Sequence, residues 1–286
     1  MTFSLHRTST GDLALTREHE AIVAPRKGVI VDFASFKRGE YHPNDIERAA
    51  TLWRTRAQQE MHSLALFTQL LSQIHLLGAP LDWSGAFARM IEDEVRHTDL
   101  CLRMCEALGH SEPPTIAPDE LHLASDRPPR AHVRDVVAAA FCIGETVSGL
   151  MFKRSMRAAT VPLARDVVTA ILVDETFHGE LGWELMALLM REIDADERTI
   201  LARRLPFLIS HYAKLCGATQ SPARARADKE REPSPNFGEL TTAGYACAFF
   251  DAMENDVVPA FIAIGLPEAV VAYDALTDEL NANARS

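Results

Sequence analysis

The 286-residue sequence contains no run of about 18 apolar residues, so no segment is expected to span a membrane. Its first twenty residues, MTFSLHRTSTGDLALTREHE, lack the apolar centre of a secretory signal. Cysteine is scarce and odd in number, five in all, with no C-x-x-C pair and no Cys/His finger spacing. That usage argues against a disulfide framework and for reduced thiols in a cytoplasmic protein. Flavin and iron–sulfur motifs are missing too. Positive charge is in deficit: 29 Lys and Arg against 40 Asp and Glu leave a net charge of −11, which speaks against non-specific nucleic-acid binding. Apolar residues, by contrast, make up 47% of the chain, enough for a substantial core.

Residues 1–42 are mixed in character and read as an N-terminal arm, with GVIVDFASF as a short strand or an extended segment packed on the core. From Pro43 the periodicity is helical. One long helix ends at Gly78, Ala79 and Pro80, and a second runs from about 81 to 108. A proline-rich polar connection of roughly twenty residues follows. Two further apolar helical stretches then carry the chain to about 191. Helix, short turn, helix, long crossover, helix, short turn, helix is the layout of a four-helix bundle with one long crossover. The expected fold is therefore all-α, with the bundle over 43–191 and a helical extension over 192–286. That extension contains a fifth helix at about 194–216, a charged mobile loop at about 217–238 and a last helical pair, all within a single domain overall.

Two short strings repeat an arrangement that an apolar helix has no need of: DEVRH at 93–97 and DETFH at 174–178. Positions i, i+3, i+4 and i+7 share a helix face. On the second helix the stripe Phe87, Met90, Ile91, Glu94, His97, Cys101, Cys105 is apolar except for Glu94 and His97. On the fourth, Val168, Ile171, Glu175, His178, Gly182, Leu185 is apolar except for Glu175 and His178. The first helix offers one carboxylate on its apolar stripe, Glu60, and the third offers one, Glu145. Four carboxylates and two imidazoles cannot be left uncompensated in an apolar core, because lone buried charges cost several kcal/mol each. Two divalent cations neutralise the set, and oxygen ligands with one imidazole per ion suit iron or manganese. Asp93 and Asp174 are then expected to orient the histidines from behind, Asp93 on His178 and Asp174 on His97, with Arg96 pairing with one of the two aspartates. Glu92, Glu180 and Glu184 fall off the stripes and read as solvated acids, with Glu180 as a substitute ligand in the alternative reading, and His62 reads as a surface or inter-helix histidine.

These residues resemble the ferritin-like di-iron carboxylate superfamily over roughly 44–191. DEVRH matches the D-E-x-R-H form of bacterial multicomponent monooxygenase hydroxylases and ribonucleotide reductase small subunits. DETFH matches it with Phe177 in place of Arg. The resemblance implies metal ligands at Glu60, Glu94, His97, Glu145, Glu175 and His178, two iron ions (Fe/Fe, or Mn/Fe) and dioxygen chemistry. The departures narrow it. Cys101 stands where radical-storing reductases carry Tyr, as in methane monooxygenase-type hydroxylases. Gly149 stands where those hydroxylases carry Thr, and Ile171 where arylamine N-oxygenases add a seventh ligand, His. Cys101, Cys142, Gly149 and Ile171 are thus candidates for the pocket. The expected function is a di-iron oxygenase or oxidase acting on O₂ and a small, largely apolar organic substrate. It would take electrons from a ferredoxin or reductase, with no membrane or nucleic-acid partner; a homodimer is compatible with it. The alternative is a ferritin- or rubrerythrin-like protein handling iron or peroxide without an organic substrate.

Overall fold

The computed structural model describes residues 2–5, 19–24, 29–122, 127–228 and 230–283. Of the expected N-terminal arm, positions 1, 6–18 and 25–28 lie outside these. Among the described residues the chain is helical apart from one two-residue antiparallel pair, β1 (Phe3–Ser4) with β2 (Thr115–Ile116). The helices in chain order are α1 (Pro43–Leu76), α2 (Leu81–Ala107), α3 (Pro129–Ala158), α4 (Pro162–Glu192), α5 (Ala195–Leu215) and α6 (Pro222–Ala227). Then come α7, formed without a break by Thr242–Ala252, Met253–Val257 and Val258–Ala263, and α8 (Glu268–Asn283). Two compact units divide them: Met1–Pro129 with Ala159–Ile171 and Pro235–Glu239, and the remainder from Arg130 onward. Helix α4 belongs to both, its residues through Ile171 counting with the first unit and those from Leu172 with the second.

In the first unit α1 and α2 form a hairpin. The His42 ring accepts from the Asn44 N–H at the start of α1, and Pro43 occupies the first turn, where a missing N–H costs nothing. The hairpin buries Trp53, Ala57, Phe67, Leu70 and Ile74 from α1 against Phe87, Met90, Cys101 and Met104 from α2. A strap, Pro235–Glu239, also packs here. Phe237 is fully buried with its ring 6.3 Å from Phe36 and 5.2 Å from Tyr41, and Asn236 is buried beside it. Gly238 takes a φ of 93°, a conformation L side chains avoid, and a Cβ there would lie 3.2 Å from both Arg56 and Val168. The span 217–238, expected as a mobile loop, thus contains both α6 and this buried strap.

In the second unit α3 is π-helical from Val137 to Glu145. Each π turn takes in an extra residue, and Val137, Ala138, Phe141 and Cys142 are all fully buried along this segment. Helix α3 and α4 approach closely at Gly182, where a Cβ would meet Phe141 Cβ at 2.5 Å. Trp183 donates its indole N–H to Thr146 Oγ1 at 3.0 Å. Helix α5 begins at a capping box in which the Asp194 carboxylate accepts from the Glu197 N–H and the Glu197 carboxylate accepts from the Asp194 N–H. Among the described residues one helix, Pro129–Ala158, is long and apolar enough to cross a membrane by length and composition; half of its most apolar window is buried inside the protein. A core helix carrying a buried Arg134 and the near-buried Glu145 accounts for the same property.

Candidate metal centre

Glu60 lies near the middle of α1, and Glu94 and His97 lie one turn apart on α2, all on the faces that the hairpin buries. His97 and Glu94 have almost no solvent exposure, and Glu60 has 6%. His97 Nδ1 lies 3.6 Å from Glu60 Oε2 and 3.8 Å from Glu94 Oε2. One ligand atom from each of the three lies within 4.8 Å of the others. These approaches exceed hydrogen-bond length. They match atoms that share a cation, because two ligands each about 2.1 Å from one ion lie roughly 3.0 Å apart at a right angle and 4.2 Å apart when opposed.

The second unit repeats the arrangement. His178 Nδ1 lies 3.8 Å from Glu175 Oε2, one turn away on α4, and 4.0 Å from Glu145 Oε2 on α3. His178 and Glu175 are buried, and the Glu145 side chain is only 11% exposed. The three again offer ligand atoms within 4.8 Å of one another. In both units it is Nδ1 of the imidazole that turns toward the carboxylates. Each triad carries a charge of −2 when its histidine is neutral, so a single divalent cation neutralises it. The residues therefore fit a metal: buried, acid-rich clusters of Glu and His that could hold metal ions.

The neighbours of each triad are polar in a limited way. Arg96 Nη1 donates to Asp93 at 2.8 Å and Nη2 to the Ile22 carbonyl at 2.9 Å, while Arg89 Nε approaches Asp93 at 3.7 Å. His19 pairs with the buried Asp99 at 3.3 Å. The Asp174 side chain is buried. Burial pushes the Cys101 thiol well above its ordinary value, the Glu60 carboxylate adds to this, and Arg56 and His97 oppose it. Cys142 is pushed up by burial, and its thiol lies 3.8 Å from the Gly182 carbonyl, in range of a weak S–H bond. Ile171 is fully buried, whereas a Cβ at Gly149 would meet nothing within 4 Å. His62 pairs with Glu120 at the surface, and Glu92, Glu180 and Glu184 are exposed.

Three contacts were not visible in the helical stripes. Arg56, one turn before Glu60, is buried and donates to the Gly238 carbonyl at 2.8 Å. Asn236 Nδ2 donates to the Glu239 carbonyl, closing the strap that receives Arg56. Tyr212 on α5 sets its hydroxyl 2.7 Å from the position a Cβ would take on Gly144, next to Glu145. Burial raises the Tyr212 phenol, and the Glu145 carboxylate raises it further. The only sequence signal for Tyr212 is its place in an apolar helix outside the bundle motif. No known protein family, curated protein or solved structure matches this chain.

Proposed function

We propose that the two triads form one dinuclear iron centre in a four-helix bundle, and that the protein is a non-haem di-iron oxygenase or oxidase acting on a small, largely apolar substrate. The observation that carries this is the duplicate chemistry: two buried sets, each of two carboxylates and one imidazole, with Nδ1 facing the carboxylate oxygens. Glu60, Glu94 and His97 would hold one ion, and Glu145, Glu175 and His178 the other.

Bound iron supplies one-electron redox chemistry toward O₂, which no side chain here provides. The protein's own residues do the rest. The carboxylates neutralise the cations in a medium where charge is expensive. Arg96 fixes Asp93 behind the Glu94 and His97 turn, as outer partners commonly orient metal-binding residues. Trp53, Phe67, Phe87 and Met90, all at 0–1% exposure on the same two helices, keep water away. Electrons would come from a separate carrier.

The test is anaerobic loading with ferrous iron, followed by metal analysis and mixing with O₂. The wild-type chain should hold about two irons and be oxidised rapidly, and the Glu94→Ala, His178→Ala variant should do neither. Equal oxidation rates for the two proteins would sink the redox reading. Rapid oxidation that deposits many irons per chain would favour the iron-storage alternative.

A further inference from the structure

The outer face of α5 differs in charge from the rest of the chain. Between Arg198 and Cys216 there is no acidic residue, although the protein as a whole carries a net charge of −11. Ile200, Arg203, Phe207, His211 and Lys214 follow one another at spacings of three and four and so share a face. All five are exposed, Phe207 at 60%, and Leu215 at the end of the helix is exposed at 66%. The Arg204 guanidinium lies 4.9 Å over the Phe207 ring and pairs with Asp135 at 3.4 Å, which presents the ring rather than folding it away. A large exposed aromatic flanked by cations is the composition of an interface anchor, not of an ordinary solvated face.

The same helix reaches the metal-holding residues from its inner side. The Phe207 and His211 rings stack with centroids 6.4 Å apart, and the His211 and Tyr212 rings meet edge-on at 5.7 Å. The Tyr212 hydroxyl then abuts Gly144, the residue before Glu145. A series of three rings thus leads from the exposed cationic patch to Gly144, the residue before Glu145.

We propose that the outer face of α5 is the docking surface of an acidic one-electron carrier protein. Its role in electron delivery rests on the di-iron reading; docking itself does not. Each transfer oxidises the carrier by one electron and reduces the centre by one, with no bond made or broken. Positive charge on this face, from the exposed Arg203 and Lys214, selects an acidic partner.

The experiment titrates the metal-free protein with an oxidised plant-type [2Fe–2S] ferredoxin at about 20 mM and about 200 mM salt, where screening differs strongly. Wild type should bind, and more weakly at the higher salt. The Arg203→Glu, Lys214→Glu variant and the Phe207→Ala variant should each lose about 10-fold in affinity. In iron-loaded protein the same variants should slow reduction by ferredoxin while leaving reduction by dithionite unchanged. Failure to bind ferredoxin, salt-independent binding, or equal binding by the variants overturns the proposal. So does a Phe207-dependent homodimer in sedimentation. If dithionite cannot reduce the iron-loaded protein, it is the di-iron reading that fails, and the metal-free titration still decides the docking surface.

Discussion

Two glycines three residues apart on α4, Gly179 and Gly182, should respond oppositely to the same substitution. At Gly182 a Cβ would stand 2.5 Å from Phe141 Cβ and 3.3 Å from Phe141 Cα. Neither of those atoms can rotate away, because Cα is backbone and Cβ is fixed to it. Carbon atoms in contact prefer roughly 3.5–4.0 Å, so α3 and α4 must part by about 1 Å to admit one methyl group. Overpacking of this kind costs about 1–3 kcal/mol, against which Ala gains about 1 kcal/mol over Gly in helix propensity. Gly182→Ala should therefore be neutral to destabilising by up to about 2 kcal/mol. It should also weaken metal binding, since Glu145 and His178 lie on the two helices being separated. At Gly179 a Cβ would meet nothing within 4 Å, so Gly179→Ala keeps the propensity gain of about 0.5–1 kcal/mol. Urea unfolding of the metal-free proteins, followed by far-UV circular dichroism, measures both. A Gly182→Ala protein as stable as Gly179→Ala would refute the close approach of α3 and α4.

Arg96→Met removes a buried guanidinium from the fully buried Asp93, so the metal-free protein should lose about 3–5 kcal/mol in urea unfolding. Ferrous iron should raise the thermal midpoint of the wild type by the linkage for a native-state ligand, about 2.7 kcal/mol at roughly a hundred times Kd, and a chelator should reverse this. The Glu94→Ala, His178→Ala variant should show neither shift. Alkaline stability has a definite sign. Burial pushes the Cys105 thiol up to about 11 and the Cys216 thiol up to about 12, from an ordinary 9.0. Below pH 9 both states keep these protons; above it the unfolded chain releases them first. Stability should therefore fall as pH rises above 9, by roughly 1.4 kcal/mol per pH unit for each thiol, up to about pH 11 for Cys105 and about pH 12 for Cys216. Urea midpoints at about pH 8.5 and pH 10.5 test this, and Cys105→Ala with Cys216→Ala should flatten the dependence.

The helical character of the chain was legible because its apolar periodicity is strong and its turns carry clear punctuation. Gly78 with Pro80 closes α1, and the paired Asp194 and Glu197 open α5. The acid and histidine positions were legible for a different reason: a lone carboxylate on an otherwise apolar stripe stands out against it. The π segment from Val137 to Glu145 was not, since its apolar sequence carries no mark that separates π from α winding. The strap at 235–239 was missed because its neighbours are charged and proline-containing. Only the tertiary contacts of Phe237 and Asn236 show that a few residues in such a stretch are core. Asp93 illustrates a limit of pattern reasoning as well. Helical spacing says which face a carboxylate occupies, but Arg96 and Arg89, on the same helix, are among its partners.

Those missed features share a physical role in the first unit. Glu60 sits on a helix clamped one turn earlier by Arg56 to the Gly238 carbonyl, and two turns before that Arg48 is bonded to Glu239 and to the Pro235 carbonyl. Glu94 and His97 flank Arg96, which bonds the Ile22 carbonyl, and the next turn holds Asp99 against His19. Each helix that would carry ligands in this unit is thus tied by charged side chains to a segment distant in sequence. A triad of two carboxylates and an imidazole repels itself before a cation arrives, so a hairpin of two helices alone would tend to splay. Bonds from buried guanidinium groups to backbone carbonyls resist that opening without adding negative charge, which is why arginine suits these positions. If so, Arg56→Met should weaken ferrous-iron binding more than it lowers unfolding stability. The comparison of a metal titration with a urea curve decides the point: equal losses in both would reduce Arg56 to a stabilising contact with no part in preparing the site.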